Sequence, residues 1–247
     1  MLPEITREEF SAALDRVAEE TLDAAGVNRP PVDALALARA VGLTVVLDQR
    51  QRGRARYVRL GGARGRCFQA AILLRPEPRR ERRQWAVAHE IGEHLAHCVF
   101  LALGADPRET TARAREEVAC QLAGRLLLPG RWFAEDARNC AWDLPAIKAG
   151  YATASHELIA RRMLDLAWPV VITVFDQGHL SWRRSNVPGR VPPLCPAERD
   201  CRQAAHEENL PQEAFNALSR IQAWPVHEDG WKREILRTEL RLEGVDY

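Results

Sequence analysis

Long apolar runs, paired cysteines and lysine are what this 247-residue chain has little of, and each shortage excludes something. No apolar run approaches the length of a membrane span, so an integral membrane protein is not expected. The opening MLPEITREEFSAALDRVAEE is charged from its start and does not read as a signal peptide, which points to the cytoplasm. The six cysteines (67, 98, 120, 140, 195 and 201) show no C-x-x-C spacing. Without an export signal they read as reduced thiols rather than a disulfide framework. Lysine occurs only at Lys148 and Lys232, so arginine carries almost all the positive charge. A formal net charge of +1 selects no charged partner. The charge is uneven, however. Between Arg50 and Arg83 twelve arginines stand against only Glu77 and Glu81. Such a block attracts nucleic acid or an acidic protein surface, although a solvated loop and strand edge is the plainer reading.

Element signals suggest an α+β fold, with strands preceding helices and no regular alternation. Thr6 and Glu9 form a capping box for a helix to about Ala25. PPVDALALARAVG reads as a short helix stopped by Gly42. TVVLD, RYVRL and CFQAAILL read as strands. A long helix is expected from about Arg79 to Ala102. A second, capped near Asp106, ends at Pro129. LPAIKAGYATASHELIARRMLDL reads as two short helices, and VVITVFDQGHLSWRR as a hairpin around Asp176-Gln177-Gly178. PGRVPPLCPAERDC reads as a proline-rich linker. It precedes a helix near Pro211 to Gln222 and a final strand or helix from Trp231.

The chemistry concentrates in WAVAHEIGEHLAH, from Trp85 to His97. With about 100° per residue and His89 at zero, Glu93 lies about 40° round, His97 about 80°, Glu90 about 100° and His94 about 140°. All five polar side chains share one arc, and the rest of the helix is apolar or small. That pattern describes a buried helix with one polar stripe toward a cleft. Side chains at i and i+4 can hold one metal, so the partner of His89 is Glu93. His94, at i+5, would need a local widening of the helix into a π-bulge. Glu90 is suited to take a proton from water that attacks a carbonyl. A further ligand must come from another element. REEVACQLAGRLLLP offers Glu116 and Glu117, and Glu116 shares a face with Ala119, Ala123 and Leu126. His94, His97 and Glu117 stand as alternative ligands.

In this order the motifs resemble the ImmA/IrrE family of metallopeptidases, roughly from Pro31 to Asp165. PVDALALARAVGLTVV, AILLRPEPRRERRQWAVAHEIGEHLAH and EEVACQLAGRLLLP carry the likeness, and DLPAIKAGYATASHELIARRMLDL is similar to the helical segment that follows in these proteins. The resemblance implies a zincin-like fold and a zinc-dependent endopeptidase of the bacterial cytoplasm. It implies a protein substrate, usually a helix-turn-helix repressor. It assigns His89 and Glu116 as Zn2+ ligands and Glu90 as the base, with Glu93 in place of the second histidine. Cys120 stands where asparagine is usual. The replacement at 93 is electronic in effect: two carboxylates and one imidazole would make metal-bound water less acidic. The expected organisation is a metallopeptidase domain over residues 1–140, a helical pair and β-hairpin over 141–187, and a C-terminal extension over 188–247.

Two rival readings remain. A catalytically degenerate member would act as a regulatory module that binds protein or DNA, through the arginine block or the helix pair. That pair carries few positive charges, which disfavours DNA. A structural metal among Cys195, Cys201, His206 and His227 fits no common zinc spacing. Tyr57, Tyr151 and His156 are candidates for stabilising an oxyanion.

Overall fold

Thr6 opens the first helix, α1 (Arg7–Ala24), with a reciprocal cap. Its hydroxyl accepts from Glu9 N at 3.1 Å, and Glu9 Oε2 accepts from Thr6 N at 2.9 Å. This computed structural model describes residues 5–60, 69–216 and 219–240. The chain divides into two compact units. One comprises residues 1–139 and 149–155, the other 140–148 and 156–247.

In the first unit Asp33 caps α2 (Ala34–Ala40), accepting from Leu35 N and Ala36 N. The same carboxylate receives Gln84 Nε2 at 3.0 Å, while Gln84 Oε1 takes Ala34 N at 2.6 Å. The buried Gln84 thereby ties α2 to the long α3 (Arg80–Ala102). Three strands follow the sequence expectation: β1 (Thr44–Leu47), β2 (Ala55–Leu60) and β3 (Gln69–Leu74). They order β1-β3-β2, with β1 parallel and β2 antiparallel to β3, so β2 is an edge. The start of the expected CFQAAILL strand, at 67–68, lies outside the described residues.

α4 (Ala112–Leu127) is capped by Thr111 rather than near Asp106, its hydroxyl accepting from Ala114 N at 3.1 Å. Its buried face includes Ala119, Leu122, Ala123 and Leu126. Leu14, Val17, Ala18 and Leu22 of α1 complete this core, and buried Arg125 joins the two helices through Ser11 and Asp15. α5 (Gly130–Asn139) buries Phe133 and Ala137, a helix the sequence signals did not announce. Tyr151 packs edge-on against Phe133 and donates to Asp136 at 2.7 Å.

The second unit holds the helix pair α6 (Leu144–Gly150, to Lys148) and α7 (His156–Met163). The expected hairpin is β4 (Val170–Asp176) and β5 (His179–Ser185). Gln177 and Gly178 both have positive φ, 50° and 78°, as a two-residue turn between twisted strands requires. Two expectations fail here. The second half of the proline-rich stretch is helical, because Pro196 opens α8 (Pro196–Glu208). Pro211 to Gln222 is not a helix but β6 (Gln212–Phe215) and the start of β7 (Ser219–Glu228). β6 pairs with β7 and β7 with β8 (Trp231–Leu240), which settles the final segment as strand.

That sheet runs β5-β4-β8-β7-β6 and is antiparallel throughout. Phe175, Ile221, Ala223 and Leu236 pack with Cys201 and Ala205 of α8 into one core. Trp224 donates to Asp143 at 3.0 Å, fastening the 140–148 segment to β7. The molecule is α+β, and among the described residues no helix is long and apolar enough to cross a membrane.

Candidate metal centre

α3 is a regular α-helix through the whole Trp85–His97 stretch, so the bulge that would bring His94 beside His89 does not occur. The i,i+4 rule that pairs His89 with Glu93 also pairs Glu90 with His94. Both members of that second pair reach Tyr57 on β2. Glu90 Oε2 accepts from Tyr57 N at 2.5 Å, and the Tyr57 hydroxyl lies 2.9 Å from His94 Nδ1. The late histidine therefore belongs to the face of Glu90. Burial, then His97 and Arg59, hold the His94 imidazole below its ordinary pKa. His97 is exposed, with Nδ1 2.9 Å from the carbonyl of His94.

α3 and α4 cross at Gly92. A Cβ built there would lie 2.5 Å from the Ala119 carbonyl oxygen and 2.9 Å from its Cα, so only glycine fits. This closeness lets the helices present side chains to one point. His89 Nε2 lies 3.5 Å from Glu116 Oε1. Cys120, one turn beyond Glu116, places Sγ 3.6 Å from His89 Nδ1 and 3.7 Å from Glu116 Oε1. Donor atoms of these three residues all fall within 4.8 Å of one another. Glu93, half-buried on α3, does not join that group in its present rotamer. Glu117 turns along its own helix to take Gln121 Nε2 at 2.9 Å.

A cleft of 290 Å³ opens over the group, lined by Arg54, Ala55, Trp85, His89, Glu90, Glu116 and Cys120 among others. Glu116 is 62 % exposed at its mouth, whereas Glu90 is only 8 % exposed. Burial pushes the Glu90 carboxyl above its ordinary pKa, and the nearby Glu93 and Glu116 add to this. The Tyr57 N–H and His89 oppose it without prevailing. Burial and the same acids drive the Cys120 thiol up to about 11. Of the residues named for an oxyanion, Tyr57 adjoins the site, while the Tyr151 hydroxyl is spent on Asp136.

Imidazole, carboxylate and thiolate are each zinc ligands, so the donor chemistry fits a zinc ion. One ion takes one nitrogen of His89, so the ring must favour either the Glu116 or the Cys120 side. Cys120 is the residue that motif reading undervalued. The signal was present, since Glu116 and Cys120 stand four apart on one face. Gly92 was likewise legible only as a small residue, because its need is set by a neighbour 27 positions away.

A solved structure described as a Mycobacterium tuberculosis transcriptional regulator is similar to 94 % of this chain and to 81 % of its own. The TM-score is 0.65 at 17 % identity, a likeness of fold. No curated protein matches the chain. Residues 42–163, from the residue before Leu43 and β1 through α7, match the IrrE N-terminal-like domain of a peptidase family. Since that match spans the strands, the crossing at Gly92 and the His89–Glu116 cleft, residues 42–163 are a zincin-like domain of the ImmA/IrrE family.

Proposed function

We propose that the chain is a zinc-dependent endopeptidase that hydrolyses a peptide bond of a protein substrate in the cleft beside β2. The observation that carries this reading is Glu90, a nearly buried carboxylate of raised proton affinity next to the His89–Glu116 pair. His89 and Glu116 would hold the metal. Glu93, one turn from His89, or Cys120, one turn from Glu116, would complete the set. A bound zinc ion supplies Lewis acidity toward a carbonyl and makes water more acidic. Glu90 Oε2 is committed to the Tyr57 N–H, which leaves Oε1 to take a proton and return it to the leaving amine. Its raised pKa makes it a readier proton acceptor than an ordinary carboxylate. The family resemblance makes a helix-turn-helix repressor the substrate to try first, in the cytoplasm.

The test is zinc-loaded protein incubated with an unfolded protein or a repressor, with fragments read by mass spectrometry. Glu90→Gln should keep its zinc and lose cleavage. Equal cleavage by wild type and Glu90→Gln would sink the proposal, as would equal zinc content in wild type and His89→Ala.

A second reading, a regulator without hydrolytic activity, rests on Cys120. If His89, Glu93, Glu116 and Cys120 all ligate, a tetrahedral ion is closed and has no position for water or substrate. The neighbour of like fold is described as a transcriptional regulator, which agrees with this alternative. Cys120→Asn separates the two. It leaves zinc content and cleavage intact where Glu93 completes an open site, and it lowers zinc affinity of a protein that never cleaves in a closed one.

A further inference from the structure

Glu234 of β8 is completely buried, yet among the described residues no arginine or lysine hydrogen-bonds to it. Its Oε1 faces two histidines instead, His206 Nδ1 at 2.7 Å and His227 Nε2 at 2.9 Å. Its Oε2 is buried with no hydrogen-bond partner among the described residues. An ionised carboxylate removed from water in this way is costly unless a cation compensates it. The local fold explains the convergence. Glu234 pairs with Pro225 across the β7–β8 ladder, so His227, two residues on, is its diagonal neighbour on the same face. α8 packs over that face and lowers His206 onto it, with the imidazole rings 5.4 Å apart at 70°.

We propose that His206, His227 and Glu234 form a second divalent-metal site, selective for zinc-like cations, in the C-terminal half of the chain. Two imidazoles and one carboxylate are a recurrent zinc donor set. A tetrahedral ion with bonds of about 2.0–2.1 Å has ligand atoms about 3.3 Å apart, so the present group need open only by side-chain rotation. Each neutral imidazole offers its lone pair there by carrying its hydrogen on the other ring nitrogen. The histidine side chains keep 29 % and 14 % of their surface, so the ion has a path from solvent while Glu234 closes the floor. The site is not the cysteine–histidine group the sequence suggested. Cys201 is buried in the apolar core, with Cys195 packed against it, whereas the two histidines meet a glutamate.

One neighbour opposes a cation. Arg202 Nη1 stands 3.8 Å from Glu234 Oε2, beyond hydrogen-bonding distance, with its guanidinium over the Phe175 ring and Nη2 on Gln203. Removing that charge should tighten metal binding. If the cluster were only a hydrogen-bonded core with Arg202 as counter-ion, Arg202→Gln would destabilise the fold and leave metal uptake unchanged.

The experiment strips the full chain with a chelator, titrates zinc chloride, and counts bound zinc per chain by mass spectrometry of the element. Wild type, His89→Ala/Glu116→Ala, His206→Gln/His227→Gln and the quadruple variant are compared, with circular dichroism checking the fold. Wild type should bind two ions, each double variant one and the quadruple variant none. Glu234→Gln, nearly isosteric, should lose the second ion by more than the about 10- to 100-fold that loss of a supporting hydrogen bond costs. Arg202→Gln should bind it more tightly. Unchanged zinc binding in folded His206→Gln/His227→Gln, or none in His89→Ala/Glu116→Ala, overturns the inference. A wild type that binds a single ion, kept in His89→Ala/Glu116→Ala and lost in His206→Gln/His227→Gln, would instead count against the proposed peptidase, so the two failures are distinct.

Discussion

Glu90 and Glu198, one in each unit, are buried at 8 % and 1 % exposure, and their surroundings push them in opposite directions. Glu90 has one backbone N–H and two acidic neighbours, and burial leaves its carboxyl above its ordinary pKa. Burial also disfavours the charge on Glu198, but Thr238 at 2.5 Å, Cys195 N at 2.9 Å and both terminal nitrogens of Arg183 at 3.0 Å outweigh it. Its carboxyl is held below the ordinary value. A glutamate surrounded by donors until its lone pairs are used is a fixed charge that organises a fold. One left short of donors beside a cleft is free to exchange a proton. Burial alone separates nothing; the count and sign of neighbours do.

The largest expected effect falls on Glu90. Glu90→Gln removes the proton acceptor and should lower cleavage by about 10²- to 10⁴-fold, read as turnover of a zinc-loaded sample. In the metal-free protein the same change should hold or raise the melting temperature. A carboxylate whose folded pKa is raised costs stability when ionised, and the amide escapes that cost. A variant that lost activity by unfolding would erase the contrast with Glu198.

Glu198→Ala should do the reverse, by leaving Arg183 buried without its carboxylate. A loss of about 3–5 kcal/mol is expected in urea unfolding, with any cleavage in the first unit changed far less. The pH dependence follows from the lowered pKa. Glu198 contributes its full stability above its unfolded value, near 4.5, and that contribution falls as pH drops toward the lower folded value. Wild type should therefore lose stability below about pH 4.5 more steeply than Glu198→Gln. Parallel curves would mean that Glu198 is not held ionised.

Gly92→Ala should have a smaller effect confined to the first unit. The added methyl meets the Ala119 backbone, and the helices must part or shift at a cost of about 1–3 kcal/mol. Zinc affinity at His89 and Glu116 should weaken with the crossing, while zinc held by His206, His227 and Glu234 should not. Affinity equal to wild type at both sites would show that the crossing does not set the first one.

How much of this was legible in the sequence follows from the range of the forces involved. The polar arc of α3, its regular course past His94 and the buried face of α4 are local consequences of helical geometry, and they were readable. Gly92 against Ala119 and Tyr57 against both Glu90 and His94 depend on packing between distant segments, so no window of the sequence contains them. The 211–222 segment reads as helix, yet pairing of β6 with β7 and of β7 with β8 decides its form. A signal was there: Asp229-Gly230, with Gly230 at φ 70°, joins β7 to β8 as a hairpin turn does. Pro225 is tolerated within β7 because it lies past Ala223, the last residue paired with β6.

The smallest effect concerns His94, and it bears on whether the two faces of α3 are separate. His94 faces Tyr57 from the side of Glu90, not the side of His89. His94→Ala should remove one partly buried hydrogen bond, about 0.5–1.5 kcal/mol, and leave zinc affinity at wild-type strength. Glu93→Ala removes the carboxylate one turn from His89 and should weaken zinc, measured by competition with a chelating dye. If Cys120 alone completes the set, Glu93→Ala will bind as wild type does and Cys120→Ala will not. The outcome that would break the scheme is the inverse of all this. Should His94→Ala empty the site while Glu93→Ala and Cys120→Ala leave it full, α3 must rearrange around the metal, and the division between a ligand face and a base face would not hold.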